Sequence, residues 1–165
     1  MSERSPAPGG LELVQSLVNT LDIESGADSL DTVEGRARFG VAEVDLARAR
    51  ELRESLRVVL LAHAGHGPHR VVTPLGDLLA AGPLLVRVDA GGSAVLGAVD
   101  EVPLVSRVSA AIAQALVEGT WMRLKACEAV DCHWAYYDRS PAGRGRWCSM
   151  QVCGARAKMR RYRAK

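Results

Sequence analysis

All four cysteines of this 165-residue chain lie in one 27-residue window, with the spacing C-x(4)-C-x(15)-C-x(4)-C. Two short cysteine pairs separated by a loop are typical of a site where four thiolates hold one Zn²⁺ tetrahedrally, each at about 2.3 Å. Such a site leaves no open coordination position, so the zinc is expected to be structural. The predicted ligands are Cys127, Cys132, Cys148 and Cys153.

Other arrangements of these cysteines were weighed. Two disulfides are disfavoured in a reducing cytoplasm, where we expect the chain because residues 1–10 lead into no apolar signal-peptide core. Four unpaired core cysteines would be scattered along the chain. A redox switch would be an added role that needs exposed, reactive thiolates. His133, beside Cys132, is the other ligand candidate, but we expect it to be a surface or packing residue.

Charge divides the chain into two parts. Residues 1–120 contain 10 Lys and Arg against 16 Asp and Glu, a net charge of −6, whereas residues 121–165 contain 11 against 3, a net charge of +8. Every aromatic residue except Phe39 also lies in the second part. This asymmetry indicates a basic segment that contacts a polyanion and an acidic segment that does not.

The apolar spacing of the first part is mainly helical. Helices are predicted over residues 11–21, 30–38, 41–63 and 104–118, with a short helix after Thr73, a residue expected to cap it. Two β-prone runs, residues 84–89 and 94–99, predict one hairpin. The fold class is therefore mainly α with one small β-hairpin, plus a small C-terminal four-cysteine zinc finger. The expected divisions are a disordered N-terminus (1–10), an α-rich domain (11–120) and the finger (121–165).

The segment after Cys153 is strongly basic and is predicted to be helical over residues 155–163. On that helix Met159 and Tyr162 share a face expected to pack on the zinc core, beside a face of arginines. Guanidinium groups suit phosphates and guanine edges, so nucleic-acid contact is predicted; the alternative is a solvated basic tail. The candidate contacts are Arg144, Arg146, Arg156, Lys158, Arg160 and Arg163.

DNA is the expected nucleic acid, and RNA stays open. Trp134, Tyr136 and Tyr137 could stack on bases, although a module this small needs them for its own core.

The C-terminal segment resembles the CGNR zinc finger family. The resemblance rests on RLKAC at 123–127, Cys132, Asp138 and Ser140, RWCSM at 146–150, CGAR at 153–156 and RRYR at 160–163. Ala155 stands where the family signature has asparagine, a residue that can cap a helix. More loosely, LVNTLD at 17–22, the long middle helix and the hairpin look like the ABATE domain that precedes this finger. The resemblance implies a bacterial, stress-induced transcriptional regulator whose finger binds DNA.

Three functions are therefore carried forward. The leading one is a DNA-binding regulator whose first domain senses a signal or dimerises. The second is a zinc-stabilised module that docks an acidic partner protein, and the third is a small-molecule binding or catalytic first domain. The sequence has no Walker loop, Rossmann fingerprint, nucleophile elbow or zinc-protease motif, so an enzyme is not expected. No apolar run reaches membrane-spanning length, and a homodimer and a small-molecule effector stay open.

Two weaker patterns were interpreted as structural. The alternating Arg and Glu residues of the long helix are expected to form a solvated face. His63, His66 and His69 recur at every third position, but Gly65, Gly67 and Pro68 interrupt any rigid metal-binding face.

Overall fold

The computed structural model describes residues 5–164. Its α-helices are α1 (Leu11–Val18), α2 (Val33–Ala37), α3 (Leu46–His63), α4 (Leu75–Leu79), α5 (Leu104–Val117) and α6 (Ala155–Arg163). Its strands are β1 (Leu84–Val88), β2 (Ala94–Ala98), β3 (Leu124–Ala126) and β4 (Ala135–Tyr137). No helix within residues 5–164 is long and apolar enough to cross a membrane. The mainly helical first part with a hairpin is confirmed.

Helix α1 ends at Val18, three residues earlier than predicted. The Thr20 hydroxyl donates to the Leu17 carbonyl at 2.8 Å, and Leu21 forms an isolated β-bridge with Asp28. Local side-chain bonding of this kind competes with helix continuation. The chain therefore leaves the helical path after Val18.

Helix α3 begins at Leu46, so the predicted start at residue 41 was wrong. Residues Glu43–Asp45 form a 3₁₀ turn instead, and Val44 within that turn is exposed. Thr73 does not cap α4, because its hydroxyl donates to the Glu51 carboxylate on α3. These differences shorten elements without changing their order.

The hairpin of β1 and β2 is antiparallel, with Leu84 opposite Ala98 and Val88 opposite Ala94, and it packs on α5. A second antiparallel pair, β3 and β4, sets Leu124 opposite Tyr137 and lies against α3 and α1. The sequence pattern did not predict this second sheet. Strands of three residues are too short to show a period-2 pattern.

One hydrophobic core runs through both charge-defined parts of the chain. It contains apolar residues of α1, α3 and α5 together with Trp121, Leu124, Ala126 and Ala135. At the other end of the chain Ala7 is buried, and its backbone N–H donates to Gln15 Oε1 at 2.6 Å. Residues 5–10, part of the expected disordered N-terminus, therefore contact the fold, and residues 1–4 lie outside the described residues.

Candidate zinc centre and nucleic-acid interface

The four predicted ligands converge. All four Sγ atoms lie within 4.8 Å of one another, and the Cys132–Cys148 and Cys148–Cys153 Sγ pairs are 3.7 Å apart. Four sulfurs at about 2.3 Å from one ion at tetrahedral angles would be about 3.8 Å apart. No disulfide joins any of them. The cluster is thus consistent with one structural Zn²⁺.

The first cysteine pair is shaped by a turn that follows β3. The Cys127 N–H donates to the Trp134 carbonyl at 3.0 Å, and the Cys132 N–H donates to the Ala129 carbonyl at 2.9 Å. His133 closes this turn in a left-handed conformation, with φ of 45°. Its buried ring places Nδ1 3.0 Å from the Cys127 carbonyl oxygen, so it braces a ligand residue as a packing histidine.

The loop between the cysteine pairs is organised by Asp138. Its carboxylate receives hydrogen bonds from Lys125 Nζ at 2.9 Å and from the Gly145 N–H at 2.7 Å. Burial alone would raise the pKa of Asp138, but hydrogen bonds from Ser140, Lys125 and Gly145 hold it well below its ordinary value. A Cβ at Gly145 would lie 3.0 Å from this carboxylate, so glycine permits the close approach. The buried carboxylate thereby holds the loop at Ser140 and at Gly145.

Crowding of the thiols explains why a cation suits the site. Hydrogen bonds from the Cys132 and Cys148 thiols lower the pKa of Cys127 to about 4, whereas Cys127 and Cys132 raise that of Cys148. One thiolate is therefore stabilised and further ionisation is opposed by like charge. A divalent ion would neutralise that repulsion and hold all four as thiolates.

Family comparisons agree with this geometry. The ABATE model, described as "Putative stress-induced transcription regulator", matches residues 11–119, which is more than half of the chain. The chain belongs to the ABATE family. The CGNR zinc finger model matches residues 123–165, which contain all four cysteines. In a comparison with curated proteins, none matches this chain.

Several residues of the CGNR segment have structural roles in the finger. Arg123 Nη1 donates to the carbonyls of Asp138 and Ser140 at 3.0 and 2.8 Å, which ties the loop back to the strand. A Cβ at Gly154 would lie 3.4 Å from Trp147 Cδ1 and closer still to the flexible Met150 side chain. The CGNR glycine thus lets the last cysteine turn pack under Trp147.

Ala155, which stands where the family signature has asparagine, is not at the uncapped start of a helix. A π-helical turn, Met150–Gly154, leads directly into α6, and Ser149 caps it by accepting a hydrogen bond from the Val152 N–H at 3.3 Å. Residue 155 therefore lies inside a continuous helical run. The capping role considered for the family asparagine is already filled here by Ser149.

Helix α6 extends over residues 155–163 as predicted, but it does not pack on the zinc core. Met159 is 51% exposed and Tyr162 is 78% exposed, and no α6 residue is buried. The expectation that this face would be covered was wrong. The π-helical turn before it is the main contact of α6 in the described chain, so the helix projects from the fold.

The six candidate nucleic-acid residues are all exposed, but three of them lie near a carboxylate and three make no ion pair with a described residue. Arg146 pairs with Glu128, with Nε 2.7 Å from Oε2, and Arg156 pairs with Glu24 at 3.1 Å. Arg160 Nη1 lies 3.8 Å from the Asp131 carboxylate. Within residues 5–164, no ion pair is made by the exposed residues Arg144, Lys158 and Arg163, nor by Arg161.

The acidic partners of these arginines were missed from sequence. Glu128 and Asp131 are the two acidic residues between the first two cysteines. Their place inside the finger could have identified them as partners of its arginines. Glu24 carried no such signal, because it is 132 positions from Arg156.

Aromatic residues of the finger mostly pack. Tyr136 and Trp121 are buried, and Tyr137 packs against the main core. Trp147 packs against the cysteine cluster.

The expectation of a solvated face on α3 was wrong for three residues. Arg53, Glu54 and Arg57 are buried, and Arg57 Nη1 donates to the Glu54 carboxylate at 2.5 Å. Arg53 also binds Asp28, at 2.7 Å. Sequence alternation could not show this, because the side chains that cover α3 come from distant segments.

The three spaced histidines do not form a metal site among the described residues; each contacts a different group. His63 Nδ1 is 2.8 Å from the Leu124 carbonyl oxygen, and its ring meets Trp121 edge-on. His66 faces Glu128 at 3.7 Å. The His69 ring lies 5.4 Å from that of His133. All three therefore contact the finger segment.

Proposed function

We propose that this protein is a bacterial, cytoplasmic DNA-binding transcription regulator in which the zinc centre is structural and carries α6 to DNA. The observation that carries the proposal is the combination of a projecting helix with cations that have no carboxylate partner among the described residues. A module this small cannot bury so much charge, so the charge is available to a polyanion. No catalytic role is assigned to the protein.

The proposed contacts fall into two groups, according to whether the side chain already pairs with a carboxylate. Lys158 and Arg163 on α6 and Arg144 in the loop need no rearrangement to meet phosphates. Arg160, Arg156 and Arg146 must exchange a carboxylate for the ligand. Arg156, nearest the start of α6, is the proposed base reader, by analogy with helices that enter a groove by their N-terminal end. The first domain is proposed to sense a signal or to dimerise.

Salt dependence tests the proposal. A duplex selected from a random pool by the zinc-loaded protein should bind with a log K against log salt slope of roughly −4.5, if about five phosphates are contacted. Arg163→Gln should flatten this slope by about one unit with little change in sequence preference. Arg48→Gln, an exposed arginine on α3, is the matched control and should leave the slope unchanged.

A second function is favoured by the exposed Met159 and Tyr162, which lie beside the cations of α6. An acidic partner protein with an apolar anchor would use both features. Replacing Met159 with Gln should strongly reduce the affinity for such a partner protein but should change the affinity for DNA little. If the triple variant of Arg156, Arg160 and Arg163 to Gln binds DNA as the wild type does, the DNA proposal is wrong.

A further inference from the structure

An open cleft lies on the side of the first domain where α3 faces residues 70–73. Its volume is about 680 Å³, which is within the range of small-molecule sites. Val71, Val72 and Thr73 contribute to the lining, and Val72 is half-buried whereas Val71 is exposed. Five charged side chains complete the lining: Arg50, Glu51, Arg53, Glu54 and Arg70.

Three of these five charges are already neutralised. Arg50 pairs with Asp28 and Asp31, and Arg53 pairs with Asp28 at 2.7 Å and with Glu54 at 2.9 Å. The side chains of Arg53 and Glu54 are 5% and 11% exposed, so this part of the lining is a rigid, buried ion-pair network. A ligand could not displace the Arg53 pairs with Asp28 and Glu54 without stranding a buried charge.

The other two charges are opposite in sign and available. Within residues 5–164, Glu51 makes no ion pair and receives one hydrogen bond, from the Thr73 hydroxyl. Arg70 is exposed and has neither an ion pair nor a hydrogen bond with any described residue. The cleft thus offers one guanidinium and one carboxylate beside the half-buried Val72.

We propose that this cleft binds a small zwitterion of the free α-amino acid class. The ligand carboxylate pairs with Arg70, its ammonium group pairs with Glu51, and its side chain lies against the half-buried Val72. A simple anion would leave Glu51 as a repelling neighbour, and a simple cation would do the same with Arg70. The proposal rests on the sensing role proposed for the first domain and supplies the chemistry of the signal.

Direct contacts connect the cleft to the zinc module. Glu54 Oε2, in the cleft lining, lies 3.2 Å from His69 Nε2. The His69 ring meets His133, whose Nδ1 lies 3.0 Å from the carbonyl oxygen of Cys127. On the same segment, the Thr73 carbonyl accepts a hydrogen bond from Ser55 at 2.7 Å. Three successive contacts therefore connect the cleft lining to Cys127.

The test is calorimetric titration of the full-length, zinc-loaded protein with the twenty amino acids, without DNA. At least one should bind saturably, and its N-acetyl and its amide derivatives should each bind about tenfold or more weakly, because each has lost one charge-assisted contact. Arg70→Gln and Glu51→Gln should each cause a similar loss. The matched controls, Arg48→Gln and Glu34→Gln, change exposed charges outside the cleft and should bind as the wild type does.

Three results would overturn the proposal. One is the absence of saturable binding by any amino acid at millimolar concentration. Another is equal binding of the charged and blocked ligands by the wild-type protein, a measurement that needs no variant to fold. The third is unchanged affinity for the amino acid in Glu51→Gln. That result would mean that the cleft recognises a simple anion and not a zwitterion. Because DNA is absent from these titrations, failure of the DNA proposal would leave their outcome unchanged.

Discussion

Asn19 and Ala135, 116 positions apart, exchange two hydrogen bonds. Asn19 Nδ2 donates to the Ala135 carbonyl at 2.9 Å, and the Ala135 N–H donates to Asn19 Oδ1 at 2.7 Å. One amide side chain at the end of α1 thus satisfies both backbone groups of a residue in β4. We propose, from this contact and the continuous core, that the first domain and the finger unfold as one cooperative unit.

Replacing Asn19 with Ala tests this coupling. The change leaves a buried N–H and a weakened carbonyl contact in β4, which should cost about 1–3 kcal/mol of the free energy of unfolding. Helix loss followed by circular dichroism and zinc release followed by a chromogenic chelator should both shift to lower temperature together. Gln114→Ala, on the exposed side of α5, should shift neither. A shift in zinc release alone would show that the two parts unfold independently.

Metal content tests the zinc centre. Protein purified without added metal should contain about one Zn²⁺ per chain, and Cys148→Ser should lose it, because three thiolates no longer complete the tetrahedral site. His133→Asn should keep the metal, since the ring braces Cys127 through its carbonyl oxygen and asparagine tolerates the left-handed backbone. If His133→Asn loses zinc while Cys148→Ser retains it, the ligand assignment is wrong.

Acid should weaken the fold through Glu54. Burial alone would raise its pKa, but hydrogen bonds from Arg57 and Arg53 and their charges lower it from 4.5 to about 2. A carboxyl with a depressed folded-state pKa stabilises the fold above its unfolded pKa, and this contribution is lost as the pH falls from about 4.5 toward 2.

The measurement compares urea unfolding of the wild type and of Glu54→Gln across this pH range. The variant should lose about 3–5 kcal/mol at neutral pH, because Arg57 loses its buried carboxylate partner and Arg53 keeps only Asp28. The difference should narrow as the pH falls below about 4.5. Glu43→Gln, at an exposed position, should have neither effect. A difference that stays constant with pH would contradict the assignment.

The Glu24–Arg156 pair should restrain DNA binding. Glu24→Gln removes the closer of the two carboxylates near Arg156 and leaves only Asp131, at 4.0 Å. An exposed ion pair of this kind is worth at most about 1 kcal/mol. DNA affinity by fluorescence anisotropy should therefore rise roughly two- to fivefold. Glu12→Gln removes the same charge from an exposed position on α1 and controls for net charge. An equal gain in both variants would mean that only overall charge matters.

Local patterns predicted most of the elements. The spacing of Leu11, Val14 and Leu17 predicted α1, and the span predicted for α6 matches the structure. The cysteine spacing predicted the four-sulfur cluster, because ligands close together in sequence can meet through short turns. Each of these features depends on neighbours within a few residues, so composition and periodicity suffice to identify it.

The sequence by itself determined which four cysteines cluster, the basic character of the C-terminal segment and the helical nature of the first part. The tertiary structure alone decided that Arg53, Glu54 and Arg57 are buried while Met159 and Tyr162 are exposed. Burial depends on which distant segment covers a surface, and a helix has the same periodicity whether its polar face meets water or a buried partner. For the same reason only the folded chain could bring Glu24 to Arg156 and Asn19 to Ala135.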